Sequence, residues 1–277
     1  MAVVPLIVCY KDRPELRESI EALNNIGLKP HVLFQNWSAE FPEGNYHRHS
    51  SAENLGCAGA RNRLFVLCKD SIADEDYLLF MDDDAVLHSF DQEILEEKFD
   101  IIAAKSILLD QSIERPAIPR SFAIAPNLAG RVFRVTGVCF LIRKECFGEL
   151  GGFYNYFPYG YEESDLSLKA YRAGVRIYYT PAICVVHHKQ KENWTKVRMQ
   201  EHEYQIVKNK MVYINRNFDL AGRLLGRFYW TCRFLIRGYA LKKIAAYYFH
   251  SPTGPKLVPI TIWHVLYIML RGRLIVL

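Results

Sequence analysis

Tyr77-Leu-Leu-Phe-Met-Asp82-Asp83-Asp84 decides how this chain is read, because an apolar run passes straight into three consecutive carboxylates. A run of this length and character is expected to form a buried, parallel strand. Successive side chains along a strand point to opposite faces, so Asp82 and Asp84 are expected on one side and Asp83 on the other. Two carboxylates converging at a strand end repel each other unless a positive charge sits between them. A hard divalent cation such as Mg²⁺ or Mn²⁺ suits such oxygens and keeps positions for water and substrate phosphates. The plainer alternative is an acidic turn, since Asp is common in turns.

Outward from that stretch, residues 3–10 read as a first strand and residues 14–25 as a helix, with Pro14 suited to its first turn and Gly27 to its end. Residues 31–34 read as a second strand, followed by polar Gln35-Asn36-Trp37-Ser38. Asn54-Leu-Gly-Cys-Ala-Gly-Ala-Arg61-Asn62 then leads into a helix reaching about Lys69. Strands alternating with helices at this spacing predict an α/β fold with a mostly parallel sheet flanked by helices. Ligands of such sheets sit beyond the carboxyl ends of the strands. Tyr10, Arg13, residues 35–38 and the acidic triplet all fall there. In the second half, residues 101–109 and 135–142 read as strands, and Gly151-Gly152-Phe153 opens an aromatic loop over residues 154–161. A helix is expected from about Asp165 to Ala173, stopped by Gly174. Short strands at 175–179 and 183–186 end at His187-His188.

Glu162, Glu163 and Asp165 stand at the start of that helix, where capping and dipole compensation would account for one or two acids. The approach loop, with Phe157, Tyr159, Gly160 and Tyr161, adds what capping does not require: surfaces for stacking a sugar ring and apolar neighbours that raise a carboxyl pKa for base work. A lone histidine is more often packed than functional, yet an imidazole at the end of residues 183–186 could complete a metal site begun by Asp82 and Asp84. Gly56 and Gly59, among small alanines, let backbone approach a ligand before a helix. They form neither a Walker A loop nor a GxGxxG fingerprint.

The order of these motifs resembles the family 2 glycosyltransferases, inverting enzymes of the GT-A fold. The residues that carry it are Val8-Cys-Tyr-Lys-Asp-Arg13, Asn54-x-Gly56-x-x-Gly59-x-Arg61-Asn62, Asp82-x-Asp84, Thr136-Gly137, Gly151-Gly152-Phe153, Tyr161-Glu-Glu-Ser-Asp165-Leu, Arg172-Ala-Gly174, and Pro181 ahead of His187. The resemblance covers roughly residues 3 to 190, and within the family it is nearest to bacterial rhamnosyl- and galactosyl-type enzymes of surface glycan synthesis. It implies that Asp82 and Asp84, with His187, hold Mg²⁺ or Mn²⁺ on the diphosphate of a nucleotide sugar. It places Cys9, Tyr10, Arg13, Gln35 and Asn36 around the nucleoside, and Asn54, Gly59, Arg61 and Asp83 in the donor pocket. Gly137, Tyr159 and Tyr161 would face the acceptor. Glu163 stands at the position of the general base, with Asp165 the next candidate and Glu162 beside it. Two positions depart from the family pattern: Gln35 and Glu163 stand where Asp is usual. UDP or dTDP is the favoured nucleotide, and a glycan or lipid-linked glycan the acceptor. A processive synthase is not expected, because no Gln-x-x-Arg-Trp motif is present. The alternatives are an inactive carbohydrate-binding or scaffold protein on the same fold, and a nucleotidyltransferase that makes nucleotide sugars.

Half of the 277 residues are hydrophobic, which suits a sizeable core and argues against disorder. Seven scattered cysteines with no CxxC pair favour free thiols and a reducing cytosol. Residues 1–10 read as a strand and not as a signal peptide. The net charge of +5 conceals an asymmetry, since no acidic residue follows Asp219 while nine of the 35 Lys and Arg do. We therefore expect a catalytic domain over residues 1–219 and a basic, aromatic helical extension over residues 220–277. The apolar run at 257–270 is shorter than the about 20 residues needed to span a bilayer. A cationic, aromatic helix suits an anionic membrane surface, so a peripheral position on the cytosolic face is expected, or else a contact in a homodimer. Nucleic acid is not an expected partner, given an acidic body and no binding module.

Overall fold

The computed structural model describes residues 1–110, 112, 127–157, 159–188 and 195–236. The chain forms two compact units, Met1–Gln190 and Lys191–Leu277.

The first unit is built on β1 (Val3–Cys9), β2 (His31–Gln35), β3 (His47–Ser51), β4 (Tyr77–Asp82), β5 (Ala85–Phe90), β6 (Ile101–Leu108), β7 (Gly130–Val132), β8 (Cys139–Arg143) and β9 (Ile177–His187). One sheet contains them all, in the order β3-β2-β1-β4-β8-β6-β9-β5, with β7 added against β9. The apolar run that opened the analysis is β4, whose residues Tyr77 to Met81 are fully buried. It pairs parallel to β1 and antiparallel to β8. Parallel pairing therefore governs the β3-β2-β1-β4 half and the β6-β9 pair, while the rest is antiparallel. The sheet is more mixed than the expected, mostly parallel one, as is common where large sheets carry added strands.

Both faces are covered by helices, as the near-continuous apolar strands require. On one face α1 (Pro14–Asn25) buries Leu16, Ile20 and Leu23 against Ile7, Val32, Phe34 and Leu79. On the other, α2 (Gly56–Cys68), α3 (Lys144–Glu149) and α4 (Glu162–Arg172) bury Leu64, Phe147 and Leu166 against Leu6, Leu33, Phe80 and Phe140. At about 1.5–3 kcal/mol per buried large apolar side chain, these two clusters are the main stabilising force of the unit. All seven cysteines are free thiols.

Three local differences from the sequence reading have physical causes. β3 and β5 were not expected, since neither alternates cleanly between apolar and polar residues. The two strands expected at 175–179 and 183–186 are one, β9, which begins at Ile177 and whose pairing with β6 jumps from Ala104↔Thr180 to Lys105↔Cys184 around Pro181. A proline cannot donate to a ladder, and such an irregularity accommodates it. Finally, α4 begins at Glu162, ahead of the expected Asp165, so all three acids lie in its first turn.

The second unit contains α5 (Lys196–Asn217) and α6 (Leu220–Ile236) among its described residues. Thr195 caps α5, its hydroxyl accepting from the Arg198 amide. Val207 and Met211 of α5 pack on Phe234 and Trp230 of α6. Gly226 faces Ile214, and a Cβ there would stand 3.4 Å from that side chain. The expectations for residues 237–277, including the 257–270 run, lie outside the described residues. Among the described residues no helix is long and apolar enough to cross a membrane.

Candidate active site

β4 ends at Asp82, and Asp83 and Asp84 form the turn into β5. Antiparallel pairing of β5 with β9 sets Ala85 opposite His187, and the His188 amide donates to the Asp84 carbonyl at 2.8 Å. Backbone register thus delivers His187 to the acidic turn. The potential ligand atoms of Asp82, Asp84 and His187 all lie within 4.8 Å of one another. His187 Nε2 is 3.3 Å from Asp84 Oδ1. Two carboxylates with one imidazole are a donor set that fits a divalent cation, and the carboxylates favour Mg²⁺ or Mn²⁺. Asp83 points elsewhere, towards Arg13 Nε at 3.4 Å.

Two arginines hold this acidic group together. Arg13, which follows β1, donates from Nη1 to Asp84 Oδ2 at 2.7 Å. Arg61 of α2 is only 1 % exposed and is among the largest fully buried side chains of the described residues. Its Nη2 donates to Asp82 Oδ1 at 2.6 Å and to the Gly137 carbonyl at 2.7 Å, while Nη1 lies 3.4 Å from Glu162 Oε1. The guanidinium also lies 5.6 Å from the Phe153 ring centroid. Burying a cation this deeply is tolerable only because two carboxylates and a carbonyl surround it.

The carboxyls respond to their surroundings in different ways. Burial, then the charge of Glu163, pushes Glu162 up to about 7 against the pull of Arg61. Burial also pushes Asp83 up to about 7, with Arg13 opposing, and raises Asp82 against the pull of Arg61. Burial alone would raise Asp84 too, but the hydrogen bond and charge of His187 outweigh it and hold Asp84 below the ordinary carboxylate range. A hydrogen bond from the Cys57 thiol also pulls the Glu162 carboxyl down, without offsetting burial.

The aromatic loop closes over the same place. Tyr161 precedes α4 at φ +78°, a left-handed conformation that is uncommon for a bulky residue and recurs where function constrains backbone. Tyr159 remains 54 % exposed. Burial of its hydroxyl and the charges of Asp82, Asp84 and Glu162 push the phenol up to about 12. Glu163 is half-buried, and its Oε1 accepts from Ser164 Oγ at 3.4 Å. Asp165 is fully buried, and its amide donates to the Tyr161 carbonyl at 2.9 Å.

The remaining expected residues divide by exposure. Tyr10, Asn36 and Asn54 are exposed at or beyond the strand ends. Asn36 takes φ +45°, and the Asn54 side chain accepts from the Gly56 amide at 2.9 Å, fixing the turn into α2. Gly59 lies within α2, where a Cβ would come 3.3 Å from that of Leu55. Gln35 is buried, with its Oε1 accepting from the Leu55 amide at 2.9 Å, so its amide oxygen is committed to the fold. Cys9 is fully buried, its thiol donating to the Lys11 carbonyl at 3.1 Å, and burial raises its pKa. The sequence reading missed Asn62 and Cys57. Asn62 Nδ2 donates to the Phe153 carbonyl at 2.8 Å and Oδ1 accepts from the Phe153 amide at 2.9 Å, tying α2 to the start of the aromatic loop. The quoted Arg61-Asn62 pair contained that residue but gave no indication of its partner. Cys57 lies beside Glu162, and burial raises its thiol well above the ordinary range.

No protein-family model and no curated protein matches the chain. Among solved structures, the fold is the glycosyltransferase-A type of mixed sheet flanked by helices. One solved structure that it matches is GalNAc-T7 bound to UDP, GalNAc and Mn²⁺, with a TM-score of 0.55 and 14 % identity. The match covers 78 % of this chain and 50 % of that one, so this chain corresponds to about half of that protein.

Proposed function

We propose that this protein is a metal-dependent glycosyltransferase that moves one sugar from a nucleotide-diphosphate sugar to a hydroxyl of a glycan or lipid-linked glycan, with inversion at the anomeric carbon. The observation that carries the reading is the convergence of Asp82, Asp84 and His187 at the carboxyl end of β4, beside the acidic first turn of α4. The shared fold with a UDP- and Mn²⁺-bound structure supports it. Inversion rests on the family resemblance alone, since a fold does not dictate stereochemistry.

In this reading Asp82, Asp84 and His187 hold Mg²⁺ or Mn²⁺, which when bound would neutralise charge on the departing nucleoside diphosphate. Arg61 and Glu162 keep Asp82 in place, and Arg13 does the same for Asp84. Tyr10, Asn36 and Asn54 flank the nucleoside, and UDP or dTDP is the favoured nucleotide. Tyr159 and Tyr161 flank the acceptor sugar. The Glu163 carboxylate takes the proton of the acceptor hydroxyl as that oxygen attacks, so one displacement completes the transfer. Glu162 is assigned to holding Arg61, because its Oε1 faces that guanidinium.

The test is release of nucleoside diphosphate from UDP- and dTDP-sugars with Mn²⁺ and candidate glycan acceptors. Glu163→Gln should lower turnover roughly 100-fold or more while leaving donor affinity unchanged. Wild-type turnover in that variant would move the base to Asp165. No turnover with any donor, together with metal-independent sugar binding, would favour a carbohydrate-binding protein.

A further inference from the structure

α6 is apolar on both sides. Its inner face packs Phe234 and Trp230 on α5. Its outer face exposes Leu220, Leu224, Leu225, Phe228, Leu235 and Ile236, with Phe228 70 % and Ile236 84 % exposed. The spacing 220, 224, 228, 235 lies along one stripe, and 225 and 236 widen it to about half the helix circumference. Among the described side chains of α6, no charged residue is exposed, and Arg223 and Arg227 are half-buried. An ordinary surface helix turns charged and polar residues to water, and apolar patches of this kind mark contacts.

We infer that this outer face of α6 docks the protein on an anionic lipid bilayer, lying in the plane of the interface. Charge selects that occupant. No acidic residue follows Asp219, and nine Lys and Arg do, with Arg223, Arg227 and Arg233 within α6 itself and the other six beyond it; Arg223 and Arg227 also donate to the Asp219 carbonyl and to Asn215 Oδ1, respectively. A second copy of this segment would bring like charge against like charge, whereas an anionic headgroup layer complements it. The apolar stripe supplies insertion between the lipids and the cations supply attraction to the surface, the combination that characterises interfacial helices. A helix of 17 residues lying flat needs no spanning length. The inference is independent of the transferase reading, because the assay contains no substrate.

The experiment is co-sedimentation of the full chain with sucrose-loaded vesicles, either of phosphatidylcholine alone or with added phosphatidylglycerol. Binding is expected to the anionic vesicles and to weaken with salt. The double variant Leu224→Glu, Phe228→Glu should weaken binding roughly tenfold to a hundredfold, since each substitution withdraws a large apolar side chain from the lipid. Its melting temperature should be unchanged, as both side chains are exposed in the free protein. Failure to bind anionic vesicles, or undiminished binding by the double variant, would overturn the inference. So would a wild-type dimer, seen by sedimentation velocity without lipid, that the double variant dissociates, because a second copy would then own the face. A large fall in melting temperature for that variant would equally overturn it, by assigning the face to residues 237–277.

Discussion

Arg61→Met removes one cation and leaves two carboxylates facing each other across the space it filled. Methionine is unbranched and adaptable enough to occupy much of that volume, so the change tests charge more than packing. Arg61 is 1 % exposed and Glu162 is 4 % exposed, so this pair is shielded from bulk water. Breaking a buried pair by removing one member costs about 3–5 kcal/mol. For a unit of this size each kcal/mol is worth about 2–4 °C, so melting should fall by roughly 6–20 °C near pH 8. The pH dependence follows from Glu162, whose carboxyl rises from 4.5 to about 7 on folding. The folded protein then binds more protons than the unfolded chain across that window, and stability falls as pH rises through it. Without Arg61 the opposing pull is gone, so the deficit should be largest above pH 7 and shrink towards about pH 5. Thermal unfolding followed by circular dichroism at both pH values measures it. A loss under about 2 °C at the higher pH, or one that grows on acidification, would refute Arg61 as the cation that makes the acidic cluster tolerable.

Glu162→Gln should lessen the decline in stability between pH 4.5 and about 7, leaving the part that Asp83 contributes, while a slope unchanged from wild type would assign the titration to other groups. Gly152→Ala forces a side chain onto φ +62° with its Cβ 2.7 Å from Asn62 Oδ1. It should cost about 1–3 kcal/mol in urea unfolding, and an unchanged midpoint would mean that the loop shifts freely. Asn62→Ala removes both bonds to the Phe153 backbone and should cost about 1–3 kcal/mol, which a shift in the same midpoint reports; a variant as stable as wild type would show that water replaces them.

How much was legible depended on whether local chemistry or tertiary context fixed each feature. α1 matches its expected limits, Pro14 and Asn25, because Pro14 and Gly27 act through backbone rules that need no partner. β4 was visible because five buried apolar residues in a row suit few other environments. β3 was invisible because His47-Arg-His-Ser-Ser51 carries no apolar face, and only the exposed edge of β2 makes it a strand. The convergence of Asp82, Asp84 and His187 was legible in outline from residue type and strand ends, but the β5–β9 register that produces it was not. The Arg61 clamp was the least readable part. Its neighbours show only that a helix begins there, and burial of the guanidinium depends on Gly137 and Glu162, far away in sequence. Gln35 illustrates the reverse case: the residue type fitted base recognition, and the Leu55 amide claims its oxygen.

The most direct measurement is calorimetric titration of UDP and of a panel of UDP-, dTDP-, GDP- and CMP-sugars into the wild type and Asp84→Asn, with Mn²⁺ or with EDTA. The account predicts that one nucleotide binds only with Mn²⁺ and that Asp84→Asn loses that binding while keeping a cooperative melt. Binding that persists in EDTA, or that Asp84→Asn leaves intact, would contradict a donor site organised on Asp82, Asp84 and His187.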